Sequence, residues 1–269
     1  MRAVLALAVV AVLVLAGCGA LGGSSPTATR TPTPTGTPDA GVVPGVSDGR
    51  LADPGALLSA HEAALLETGF ESDFRVNATE RFRGEVYDAS SRQRTLVEPG
   101  ADEYAFRTTR ATGVRFDTWG NRSVSVTRGQ TGETVRYQVG RSTGTEVLTN
   151  RAGLRSFLTA TGFEVRGVEA RSNRTLVTLV STGTPDLVSS PGVVPENATD
   201  LRDYEVRMVV DTDGRVLSFR ATAEYTIDGE EGSMTVTYGV IRLDRPAVDR
   251  PDWAAETLRE AGETSTPTG

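Results

Sequence analysis

The sequence predicts an α+β fold: a long curved antiparallel sheet, or half-barrel, with two helices on its concave face. Three observations carry this expectation. The C-terminal third alternates apolar and polar residues at period 2 through three consecutive segments. Shorter earlier segments do the same. Only two amphipathic helical stretches interrupt them, so a sheet with a single apolar face must curl over those helices to find cover.

The elements follow in order. In "DPGALLSAHEAALLETG", Asp53 is placed as an N-cap and Pro54 at the first helical position. Leu57, Leu58, His61, Ala64 and Leu65 then share one face, and Gly69 stops the helix. Strand alternation follows at Tyr104/Phe106, Val114/Phe116, Val124/Val126 and Val135/Tyr137/Val139. "NRAGLRSFLTATG" is the second helix, with Asn150 as its cap, Leu154, Phe157 and Leu158 as its stripe, and Gly162 as its end. Both helices finish in Thr-Gly-Phe-Glu, at 68–71 and 161–164, so each turns directly into a strand. Four shared residues are too few to establish an internal duplication.

Leu176/Thr178/Val180 is read as one apolar strand face. Residues 183–203, "GTPDLVSSPGVVPENATDLRD", form a long irregular insertion, and loops of that length are commonly lids or binding loops. Leu187, Val188, Val193 and Val194 are its candidate lid residues. The meander then runs through Tyr204, Val206, Met208 and Val210, and a turn follows at 211–214. It continues with Leu217, Phe219, Ala221, Ala223, Tyr225 and Ile227, and then Met234, Val236, Tyr238 and Val240. "PDWAAETL" is a further apolar cover, with Trp253 locking the C-terminal segment onto the core.

Four regions are expected: an export signal at 1–17, a Thr/Pro/Gly-rich linker at 18–52, a half-barrel domain at 53–261 and a polar tail at 262–269. "MRAVLALAVVAVLVLAGC" has one charge, Arg2, and an apolar core at 3–16 too short to span a bilayer. Its end, Leu-Ala-Gly-Cys, resembles the lipobox of prokaryotic lipoproteins. That resemblance implies a diacylglyceryl group on Cys18, cleavage just before it, and attachment to the outer face of the cell membrane, because two acyl chains anchor stably. The linker has almost nothing to bury and reads as an extended stalk.

Composition narrows the function. The chain carries −7, and cleavage before Cys18 would remove Arg2 and no acid, giving −8. All 28 basic residues are arginine and they are scattered, which argues against nucleic acid. Asn77, Asn121, Asn173 and Asn197 each head an N-x-[ST] sequon and are candidate glycosylation sites. His61 is the single histidine, and no G-x-S-x-G stretch accompanies any serine. Cys18 is the single cysteine, so zinc and blue-copper ligand sets are missing and no metal or cofactor is expected. "DTDGR" opens like a calcium loop but lacks the later glutamate and suits a hairpin turn better. No catalytic residue is assigned.

The order of elements resembles the half-barrel of LolA/LolB-type lipoprotein carriers. The LAGC start, Thr/Pro stalk, "VVDTDGRVLSF" hairpin and terminal "RPDWAAE" resemble uncharacterised haloarchaeal lipoproteins. These resemblances imply a non-enzymatic lipid-anchored protein holding an apolar, lipid-like ligand. The candidate cavity residues are Leu58, His61, Leu65, Leu154, Phe157, Leu158, Phe219 and Tyr225. The alternatives are a glycosylated structural or adhesive envelope module with a packed core, and an exported carboxylate hydrolase. The protein partner is left open.

Overall fold

A computed structural model describes residues 43–82, 85–171, 174–186, 193–195 and 198–264. The export signal, Cys18, most of the linker, Leu187, Val188, Asn173 and Asn197 lie outside the described residues.

The described residues form fourteen strands, the period-2 segments among them. They are β1 (Val46–Ser47), β2 (Arg50–Leu51), β3 (Phe70–Phe82), β4 (Glu85–Asp88), β5 (Ser91–Val97), β6 (Glu103–Arg110) and β7 (Arg115–Asn121). There follow β8 (Val124–Thr131), β9 (Thr134–Arg141), β10 (Phe163–Arg171), β11 (Arg174–Ser181), β12 (Ala198–Asp211), β13 (Val216–Ile227) and β14 (Glu230–Leu243). The helices are α1 (Pro54–Thr68), α2 (Thr145–Leu148), α3 (Arg151–Ala160) and α4 (Asp252–Thr264).

The strands make one open, curved antiparallel sheet in the order β1-β2-β10-β11-β12-β13-β14-β3-β5-β6-β7-β8-β9, with β4 beside β3. Two meanders are therefore joined where β14 pairs with β3, for example Tyr238 opposite Phe74. Each meander is entered straight from a helix, α1 into β3 and α3 into β10.

Local chemistry explains the joints. The Asp53 carboxylate accepts the Ala56 N–H at 3.0 Å and caps α1. At the β12–β13 turn, Asp211 Oδ1 accepts the N–H groups of Asp213 and Arg215. Gly214 holds φ +85° there, and a Cβ on it would stand 2.6 Å from Ala60 of α1. The turn is thus both left-handed and pressed against a helix.

The larger core lies on the concave face. Leu57 and Leu58 of α1 and Leu154, Phe157 and Leu158 of α3 pack on Val206, Met208, Phe219, Tyr225 and Val236. Phe157 and Phe219 meet at 5.2 Å between ring centroids, inclined by 60°. A second cluster at Leu65, Phe70, Val97 and Tyr104 extends the core toward α2.

Four details differ from the sequence reading. Folding begins before residue 53: Val43, Val46 and Leu51 are buried, and Gly45 O accepts the N–H groups of Ala52 and Asp53. Strands of two residues are too short to show a period. In β11 the buried face is Val177 and Leu179, not Leu176/Thr178/Val180. Both faces of β11 carry apolar residues, so only the register with β12, which sets Leu179 against Met208, decides between them. Asn150 does not cap α3 with its side chain; it takes a left-handed backbone, φ 57°, between α2 and α3. Finally, the sheet is not apolar on one face alone. Trp119 and Val126 lie on the opposite face and are covered by Val248 and by Ala254 of α4, with Trp253 packed beside them. That cluster takes one residue from each of four strands, so no single segment advertises it.

Candidate functional site

The space between α1 and the sheet is filled. Leu58 and Leu65 are buried there, and His61 is completely enclosed. The imidazole is spoken for at both nitrogens. Nδ1 accepts the Val216 N–H at 3.1 Å, so Nε2 carries the proton and donates to Thr149 O at 3.0 Å. The ring meets Tyr238 edge-on at 5.8 Å. Burial drives the His61 pKa down to about 4, against the opposing pull of the Thr149 carbonyl and the Glu62 charge. His61 therefore stitches α1 to the α2–α3 joint and to the start of β13. The neighbouring Glu62 does the same by charge. Burial would raise its carboxyl pKa, but hydrogen bonds from Thr145 and from Arg151, the latter at 2.6 Å, hold it below the ordinary range.

An apolar groove opens one helix further along. Its volume is about 350 Å³. Phe74 and Val76 of β3 and Met234 and Val236 of β14 form its floor. Phe157, with Gly153 and Ser156, forms one wall, and Val193, Val194 and Pro195 form the other. Small residues at 153 and 156 keep the α3 wall low. The irregular insertion expected over 183–203 ends where β12 begins, because Ala198, Thr199 and Arg202 pair with β13, and within it Val193 is fully buried and packed down onto the concave face.

The expected site residues divide accordingly. Phe157, Val193 and Val194 line the groove. Leu154, Leu158, Phe219 and Tyr225 belong to the packing behind it, and Leu58, His61 and Leu65 are on the buried face of α1. Tyr225 is set by its hydroxyl, 2.9 Å from both Thr79 O and Ser233 O. The sequence reading missed Phe74 and Val76. Phe70, Phe74, Val76 and Ala78, with Glu71, Asp73, Arg75 and Asn77 between them, are the period-2 signal that could have shown them; Ser72 interrupts its apolar side. Among the sequons, Asn77 is exposed on β3. Asn121 is engaged in the β7–β8 turn, where its Oδ1 accepts the N–H groups of Ser123 and Val124. Among the described residues no group of three His, Cys, Asp or Glu is placed to hold a metal ion.

Fold and groove together define a single-sheet α+β protein with an apolar cleft between its second long helix and the sheet centre. The chain belongs to a family of unknown function (DUF7537), whose pattern matches residues 3–257. No curated protein matches it. Among solved structures it is similar to LprF from Mycobacterium bovis, at 10% identity over 72% of this chain and 94% of that one, with a TM-score of 0.37. It is also similar to a DUF1329 family protein from Desulfovibrio piger, at 9% identity over 76% and 97%, TM-score 0.28. A third is the LolA superfamily protein NE2245 from Nitrosomonas europaea, at 13% identity over 73% and 94%, TM-score 0.24.

Proposed function

We propose that this protein is a lipid-anchored cell-surface protein that holds an apolar, lipid-like ligand in the groove between α3 and the β3–β14 joint. The observation that supports this reading is the groove itself, about 350 Å³ with apolar walls and floor. Small-molecule sites span roughly 300–1,000 Å³ and are mostly apolar. Binding would draw on burial of apolar area, about 25 cal/mol per Å². Val193 and Val194 are the part of the cover that touches this space. Cys18, in its Leu-Ala-Gly-Cys context, is the proposed acylation site and would place the folded part outside the cell. The acidic, lysine-free composition supports a source among halophilic archaea.

Uptake of a fluorescent fatty acid by the full chain, with lipid extraction of the purified protein, tests the groove. Ser156→Trp places an indole in it, so the variant should fold and lose uptake. Absence of uptake and of extracted lipid in the parent chain, or equal uptake by Ser156→Trp, would overturn the reading. A second reading, a glycosylated display module with no ligand, is favoured by the filled space under α1. An exposed Asn77 supplies it with one accessible acceptor.

A further inference from the structure

The outer face of the sheet carries a second pocket, of about 530 Å³, beside the start of α4. Its chemistry is opposite to that of the groove. One rung across β3, β5, β6, β7 and β8 reads Asp73, Arg94, Arg107, Asp117, Arg128 in direct register. Arg94 and Arg107 therefore stand face to face on neighbouring strands, and like charges so placed destabilise a sheet.

The two side chains are drawn apart. Arg94 pairs with Glu71, which also attracts Arg242 at 3.4 Å. Arg107 reaches Asp117 at 2.5 Å, which is shared with Arg115 at 2.8 Å and Arg128 at 3.6 Å. Five guanidiniums thus lean on two carboxylates in the pocket lining, and 5 − 2 leaves a formal surplus of three positive charges. The chain around them is acidic, at −7. Arg94, Arg107 and Arg242 remain 60%, 57% and 55% exposed while Glu71 and Asp117 are nearly buried, so the carboxylates anchor and the guanidiniums present. Each guanidinium has five N–H donors in a planar fork that suits an oxyanion, and one shared carboxylate leaves most of them free. Leu96, Ala105 and Trp253 give the pocket an apolar side.

We propose that this pocket binds a phosphate-bearing ligand of two or more negative charges. Its oxygens would lie between Arg94 and Arg107 and any apolar remainder would lie against Leu96 and Trp253. A divalent anion matches the charge surplus better than a single carboxylate does. A soluble phosphate compound and a phospholipid headgroup share this chemistry. The inference does not rest on the groove, which lies on the other face.

Titration calorimetry of the full chain carrying Cys18→Ser, with sodium pyrophosphate at low ionic strength, tests it. Saturable binding is expected, weakening as salt screens the charges. Arg94→Gln and Arg107→Gln should each weaken it about tenfold, the loss of one charge-assisted bond. Arg166→Gln, which removes an arginine paired with Glu164 at 2.9 Å on β10, should leave it unchanged. Arg94→Lys keeps the charge without the fork and should fall between. Circular dichroism checks folding, and both side chains are more than half exposed, so the variants should fold. Sedimentation with phosphatidylglycerol vesicles separates the sources. Vesicle binding displaced by pyrophosphate supports a headgroup, and pyrophosphate binding without vesicle binding supports a soluble phosphate. Absence of both, or equal weakening by Arg166→Gln, overturns the proposal.

Discussion

His61 gives the fold a pH dependence that can be assigned to one residue. In the unfolded chain its pKa is about 6.5. In the fold, burial between α1, Thr149 and Val216 lowers it to about 4. A depressed histidine pKa means that the unfolded state binds the proton more tightly. Stability from neutral His61 is therefore complete above about pH 6.5, falls as pH drops toward 4 and is flat below. Between pH 8 and pH 5 the loss works out at about 2 kcal/mol, and the full shift corresponds to about 3 kcal/mol. The chain has no other histidine, and Glu62, Asp73 and Asp117 all have lowered pKa values, so these carboxylates titrate below this window. The perturbation is His61→Gln, which keeps a donor and an acceptor but does not titrate. Urea melts at intervals from pH 8 to pH 5 should show the parent chain losing about 2 kcal/mol more than the variant. Parallel stability curves for the two proteins would refute the buried, doubly bonded imidazole.

Two further outcomes are expected. Phe157→Ala removes the ring that meets Phe219 and walls the groove, and should cost about 3–5 kcal/mol in denaturant melts. Asp117→Asn should destabilise the chain at neutral pH; because Arg107 and Arg115 overcome the effect of burial and hold that carboxyl below its usual range, the gap from the parent should close as pH falls below about 4.

The sequence made the helices and the C-terminal meander legible because their periods are long and clean. Asp53, Gly69 and the 211–214 turn are local devices, and each behaves as its chemistry dictates. The joint between β14 and β3 was not legible. It pairs Tyr238 with Phe74 across more than half the chain, and nothing local encodes such a partner. The groove floor comes from that joint, and its β3 half, Phe74 and Val76, was not named from sequence, whereas Phe157, Val193 and Val194 were. The outer apolar cluster was hidden for a related reason. Leu96, Ala105, Trp119 and Val126 are one residue each from four strands, and they become a patch only in register.

Register on β3 links these features. Its inward residues, Phe70, Ser72, Phe74, Val76 and Ala78, feed the concave core and the groove floor. Its outward residues, Glu71 and Asp73, gather the arginines of β5 and β14. A slip of one residue against β14 would exchange the two sets. It would carry Phe74 and Val76 into the arginine network and press Asp73 into the core, where an unpaired carboxylate costs several kcal/mol. The wrong register is therefore penalised on both faces at once. That accounts for a central strand carrying nearly buried carboxylates at Glu71 and Asp73: their burial on the outer face fixes the strand whose inner face floors the groove.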